Sequence, residues 1–468
     1  MATTTGFVQR LTWTPTKLCT WVGPSVTSAE LFFELFSAFD SEALLGFKRN
    51  IGRLLAQAKN AGYQVSIEHS DHSAEIVSAS LLGFSISPLG DAIHNDFYSV
   101  TGSGIPADVR VVFDNSVSTI TVTPDLVRPH WVLIASLPPS IPVGRNNVRL
   151  EGSGYTSDWV PVDVSAGPAV TVRVLYTGQP KDQPYNVVFV ANPAIRTEAG
   201  TLIADPVRTN RPSYQDTVGY ALRNLLTVTE DLLRQGAWDA QLRFVSVFDT
   251  VPGVTDANAL AQEDNPNIME TRRDKLNAFV SQYSERADIV FVMHGSTSHD
   301  RASAWFTSDD AAKAGTAYTY DGVARTHGHF QATPGSAALP LDMDRTGLTP
   351  LHEYGHAGSD FDNGRVTDLY VDGVSGFNVN KKARASSSNP IPTNFATYNG
   401  TIYASDQNRD GLGYPPTWTS YHPQLVDAAH PNLMDNYWLA AGGNPQVCRL
   451  DGLTYAWYTD RLRAKLNR

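Results

Sequence analysis

The period of apolar positions along the 468-residue chain changes twice. From residue 1 to about 95, the strand-like runs FVQRLTW and YQVSIEH flank SEALLGFKRNIGRLLAQAKNAG. In that stretch Leu44, Leu45, Ile51, Leu54 and Leu55 recur at helical spacing, and Gly62 closes it. Residues 1–95 therefore read as a small α/β domain. Between 96 and 178 the pattern becomes short alternating strands, VRVVFD, TITVTP, HWVLIAS, NNVRLEGSG and TVRVLYT, parted by Gly, Pro and Asn turns. Such regular punctuation predicts a β-sandwich. TGQPKDQP, 177–184, has the composition of a linker.

Beyond the linker, strand and helix alternate. YNVVFVAN (185–192), LRFVSVFD (242–249) and ADIVFVM (287–293) are buried-type strands, and DTVGYALRNLLTVTEDLLRQG (216–236) and METRRDKLNAFVSQYSE (269–285) are amphipathic helices. This order predicts a mostly parallel sheet covered by helices. Three domains are expected: a small α/β unit at 1–95, a β-sandwich at 96–178 and an α+β domain at 179–468. The fold class is thus multidomain, α/β and β.

Composition narrows the partners. Hydrophobics at 42 % and aromatics at 10 % are globular values, and no run of about 18 apolar residues is present to span a bilayer. A net charge of −11 argues against nucleic acid or an anionic membrane, because phosphate binding draws on a basic surface, whereas it suits a cationic metal. The two cysteines, Cys19 and Cys448, stand at opposite ends, which excludes a disulfide scaffold or a thiolate zinc site. MATTTGFVQR shows no basic region followed by an apolar core, so secreted and cytoplasmic locations both stay open. Oligomeric state is not readable.

The chemistry concentrates in TPLHEYGHAGSDFDNGRVTDLYVDG, 349–373. On a helix, residues four apart project from one face, so His352 and His356 are placed to hold one Zn2+. Glu353 sits beside them as a general base for a water at that metal. Thr349 is a good N-cap, Pro350 suits the first turn, and Gly358 is placed to end the helix and turn the chain back. A catalytic zinc also takes a third protein ligand and leaves a fourth position open. The expected activity is zinc-dependent hydrolysis, and a resemblance to the zincin metallopeptidases implies a protein or peptide substrate, with the sheet edge aligning an extended chain. Two rivals are a metal-containing adhesin without activity and a zinc hydrolase of a non-peptide amide or ester. A scaffold has no use for the base, so Glu353 speaks against the adhesin.

This motif, following the strand–helix alternation, resembles the zincin metallopeptidases, whose N-terminal subdomain is a twisted sheet with a backing helix and an active-site helix. Metzincins read HExxHxxGxxH or D, and that resemblance implies Asp362 as third ligand, although the glycine here is Gly358, one position early. HEYGH followed by VTDLY (366–370) is similar to the IgA-peptidase-like metallopeptidases, with about five extra residues between, and implies Asp368 instead. Whichever binds, the other is left to orient a ligand histidine or join a calcium site. HPNLMDNYW (430–438) resembles the metzincin Met-turn, implying Met434 beneath the metal and Tyr437 as an oxyanion-stabilising group. PPSIPVGRNNVRLEGSG resembles the immunoglobulin-like IPT/TIG modules.

Other polar stretches read more plainly. Asp406, Asn408 and Asp410 alternate before Gly411, an arrangement suited to Ca2+ or equally to a surface Asx turn. Thr417 stands at the twelfth position, which rules out an EF-hand. Asp360 reads as a solvated turn residue. His294, His299, His327 and His329 read as loop or cleft residues.

Overall fold

The computed structural model describes residues 2–13, 18–23, 31–36, parts of 51–59, 64–69, 76–83, 86–178, 184–227 and 242–305, with a few one- or two-residue gaps. It further describes 308–309, 317–320, 323–326, 331–343, 348–358, 395–398, 401–404, 425–427, 430–434, 447–450 and 455. The chain divides into two compact units, Met1–Ala169 and Val170–Arg468. Most of the described structure is sheet, with few helices, in a mixed α/β arrangement.

In the first unit, Leu31–Phe36, Leu18–Gly23, Ala2–Trp13, Gln64–His69 and Ile76–Gly83 form one antiparallel sheet in that order. Residues 51, 52, 55, 56, 58 and 59 are helical, and Ile51, Leu55 and Ala58 are buried at the spacing of one helix face. Two further sheets follow. One runs Thr119–Val122, Arg110–Asp114, Gly144–Gly152, Val160–Ser165, Ala92–Ile93, and the other Leu126–Arg128, Trp131–Ile134, Tyr98–Gly102, Ile86–Leu89. Val148, Leu150, Val162 and Val164 are buried at alternate positions, the mark of strands with one face inward. Their core also takes in Val100, Val132 and Ile134 from the other sheet, and Tyr98 meets Phe113 at a ring separation of 5.5 Å. The same apolar cluster continues through Val8, Val22, Leu55 and Val65. The expected break at 95 is therefore no boundary of the core: sheet pairing of this second kind already begins at Ile86.

The second unit is built on a six-stranded sheet. Its order is Val172–Thr177, Leu242–Val247, Tyr185–Ala191, Ile289–His294, Gly335–Pro340, Ser303–Trp305. The four central strands are parallel and the two edge strands antiparallel. Tyr185–Ala191, Ile289–His294 and Gly335–Pro340 are buried throughout, as strands covered on both faces must be. Val172–Thr177, expected to close the sandwich, belongs here: it pairs with Leu242–Val247 and covers the open edge of the parallel strands. Its partner lies some 70 residues away, and local alternation carries no record of it.

Helices cover both faces. Val188, Val190, Val290 and Val292 pack with Leu276, Phe279 and Val280 of the helix Arg273–Ser281. Beside that helix lies a small sheet ordered Leu202–Ala204, Ala194–Arg196, Ala259–Asn265, Ile268–Thr271. This corrects the helix expected from 269. Met269 is fully buried in a hairpin strand, and the helix starts only at Arg273. Phe189 and Phe291, at the alternate strand positions, stack at 5.3 Å. Tyr214, on the long helix Arg211–Thr227, donates its hydroxyl to the Phe189 carbonyl at 3.0 Å. No helix among the described residues is long and apolar enough to cross a membrane.

Candidate functional site

HExxH lies on the helix Thr349–Ala357, as its spacing predicts. The start differs by one residue. Leu348 occupies the capping position and offers no side-chain acceptor, while Thr349 and Pro350 fall inside the first turn. The acceptor comes from elsewhere: Asn224 Oδ1, on Arg211–Thr227, takes the Leu351 N–H at 2.9 Å. Gly358 ends the helix and donates its N–H to the Tyr354 carbonyl at 2.8 Å, but with φ −72° it is right-handed and makes no left-handed reversal.

Every residue from Pro350 to Ala357 is buried, because this short helix is pressed between the sheet and the long helix. Gly335, at the start of the neighbouring strand, sets the approach. A Cβ there would overlap the Ala357 carbonyl oxygen and stand 2.7 Å from its carbon and 2.8 Å from Ile289 Cδ1. His352, Glu353 and His356 are only 5 %, 7 % and 8 % exposed.

The two imidazoles converge. Their Nε2 atoms are 3.2 Å apart, and the rings meet edge to face at a centroid distance of 4.8 Å. Two ligands of one tetrahedral zinc, each about 2.0–2.1 Å from it, stand about 3.3 Å apart. His352 Nδ1 lies 2.9 Å from the Leu433 carbonyl oxygen. A carbonyl only accepts, so Nδ1 carries a proton, and the tautomer this selects has its Nε2 lone pair directed to a metal or a donor.

Leu433 lies in the stretch expected to be a Met-turn. Asn432 bridges to Arg449, residues 433 and 434 form a turn beside His352, and Met434 is fully buried. Asn432 Oδ1 accepts the Met434 N–H at 2.9 Å, and Leu433 N donates to the Arg449 carbonyl at 2.7 Å. The 447–450 segment thereby braces the turn that aims the Leu433 carbonyl. Cys448, in this brace, is buried, and burial pushes its thiol pKa up to about 12.

Among the described residues no three His, Cys, Asp or Glu side chains gather as a metal site. Two histidines and an adjacent carboxylate are what the described part contributes. Asp360, Asp362, Asp368, Asp406, Asn408, Asp410, Tyr437, His327 and His329 lie outside the described residues.

His294 corrects the loop-or-cleft reading, whereas His299 does lie in a loop, though a buried one. His294 is the last residue of a parallel strand and fully buried; burial, with His299 nearby, pushes its pKa down to about 3. His299 is also buried, its Nδ1 3.0 Å from both Ser296 Oγ and Ser298 Oγ. Near the same strand ends, Asp205 accepts from Val207 N, Gly295 N and Asn192 Nδ2 at 2.7–2.9 Å. Burial raises its pKa to about 6 against those three bonds. Asn224 and the Leu433 carbonyl escaped the sequence reading. For Asn224 a signal existed, a polar residue within the apolar run ALRNLL; a backbone carbonyl leaves none. No protein-family model matches the chain, and no curated protein matches it.

Proposed function

We propose that the chain is a zinc-dependent metallopeptidase, a metzincin-like zincin akin to the IgA-peptidase-like family, that hydrolyses a protein or peptide substrate. One observation carries the reading: the His352 and His356 Nε2 atoms converge to 3.2 Å on a buried helix while His352 Nδ1 donates to Leu433. That donor set fits zinc, with His352 and His356 as two ligands and Asp362 or Asp368 as the third. Zinc bound there supplies Lewis acidity toward the scissile carbonyl and acidifies water. Glu353, next to His352 on the same helix, takes the proton of the attacking water on its carboxylate and returns it to the leaving amine. The Leu433 carbonyl holds the His352 ring in its metal-binding tautomer. Met434 floors the site, and Tyr437 is assigned to the oxyanion.

The surroundings support this reading. The site helix packs beside Gly335–Pro340 and near Ser303–Trp305, the last strand of the six-stranded sheet, and an extended substrate is assigned to that side of the sheet. In the same reading the first unit's two packed sheets are an immunoglobulin-like accessory domain, and Asp406, Asn408 and Asp410 are a Ca2+ loop.

Purified protein is expected to hold about one zinc per chain by metal analysis, and H352A or H356A to lose it. E353Q is expected to keep the metal while peptide hydrolysis falls by roughly 10²–10⁴-fold, the usual contribution of a positioned base. Of D362A and D368A, the ligand variant loses metal and turnover together, whereas the other weakens metal binding by about 10–100-fold. Full zinc content in the double variant H352A/H356A rules the assignment out.

A further inference from the structure

The helix that carries the candidate ligands does not cap itself. Leu348 has no side-chain acceptor at the capping position, and Pro350, in the first turn, has no N–H to satisfy. Leu351 N, immediately before His352, is a donor of that turn with no acceptor inside the helix. Its acceptor is Asn224 Oδ1 at 2.9 Å, 127 residues away on Arg211–Thr227. Asn224 is itself buried, so neither partner has water as a ready substitute. His352 N in turn donates to the Leu348 carbonyl at 2.9 Å, which ties the first ligand's backbone to the turn that Asn224 holds.

We infer that Asn224 is a positioning residue of the candidate site, fixing the axial place of the HExxH helix and hence of His352 Nε2. This rests on the zinc reading for its consequence but not for its geometry. The other end of the helix is located by its close approach to Gly335, and the ring of His352 by Leu433. Asn224 supplies a buried hydrogen bond at the remaining end. Without it the first turn is free to fray or slide, and a displacement near 1 Å is enough to spoil a ligand pair.

The test compares two variants of the full chain. N224L removes the acceptor at similar volume, and N224D keeps an oxygen at the same place, beside a helix N-terminus that favours negative charge. Two readouts are taken: amide hydrogen exchange over residues 348–353, and Zn2+ affinity by competition with a chelator. N224L is expected to lose protection in that segment and about 10–100-fold in Zn2+ affinity, and N224D to recover most of both. Wild-type exchange and affinity in N224L overturn the inference, as do equal losses in N224L and N224D, which mean packing rather than the hydrogen bond. If wild-type protein binds no zinc through His352 and His356, the peptidase reading falls, and the exchange comparison alone still decides whether Asn224 holds the helix start.

Discussion

Several residues in the second unit are set by neighbours that are distant in sequence. His294 has an ordinary imidazole basicity when unfolded, but burial in the strand end lowers its pKa to about 3. The unfolded chain therefore binds a proton that the folded chain refuses between about pH 6.5 and 3, so the stability that neutral His294 allows is complete above that range and drains away as pH falls. Asp205, raised to about 6, has the opposite sign: it costs stability as pH rises from about 4 to 6. His130, in the first unit, is pushed down to about 4 by burial and Arg128, and acts in the same sense as His294. A variant comparison separates them. The fall in Tm between pH 7 and pH 4.5 is expected to be several degrees smaller for His294→Leu than for wild type, whatever their difference at pH 7. Parallel curves for the two proteins show that His294 does not titrate as argued.

At the scale of elements, the site helix is short and depends on its neighbours. Nine residues are too few for an isolated helix to persist in water, so Thr349–Ala357 exists because it is buried against the sheet and the long helix. Gly335 is the point of closest approach. Gly335→Ala sets a methyl group against the Ala357 backbone, next to His356, and neither backbone has a rotamer by which to move aside. Destabilisation of about 1–3 kcal/mol is expected from such overpacking, together with weakened zinc uptake. Calorimetry of the variant with an unchanged Tm speaks against the approach being as close as described. The motif and its helical spacing are legible in HEYGH, but the extra strand residues at Ile268–Thr271 are not, because METRRDKL is as compatible with a helix as with a buried hairpin strand.

For the whole molecule, the boundary between the units falls near residue 170, not 178. The difference is one strand. Val172–Thr177 closes the edge formed by Leu242–Val247, so a fragment beginning at 170 retains the complete six-stranded sheet, while one beginning at 179 exposes a parallel strand that has lost its partner. The 170–468 fragment is expected to be soluble and cooperative in thermal unfolding, and the 179–468 fragment to aggregate or melt at clearly lower temperature. Equal solubility and Tm for the two fragments rule out a structural role for that strand.

Local physics alone fixed several features from the sequence. Strand and helix alternation after residue 184 follows from periods of two and 3.6 in apolar residues, and the pairing of His352 with His356 follows from helical spacing. The net charge and the scarcity of cysteine likewise need no fold to be read. Only tertiary structure decided which sheet takes Val172–Thr177, that Asn224 caps a helix 127 residues away, and that the Leu433 carbonyl fixes the tautomer of His352. Each of these is a hydrogen bond between backbone or amide groups that nearly every residue offers, so sequence does not mark the partner. Burial and chain topology choose it, since a polar group withdrawn from water must bond whatever the fold brings within about 3 Å.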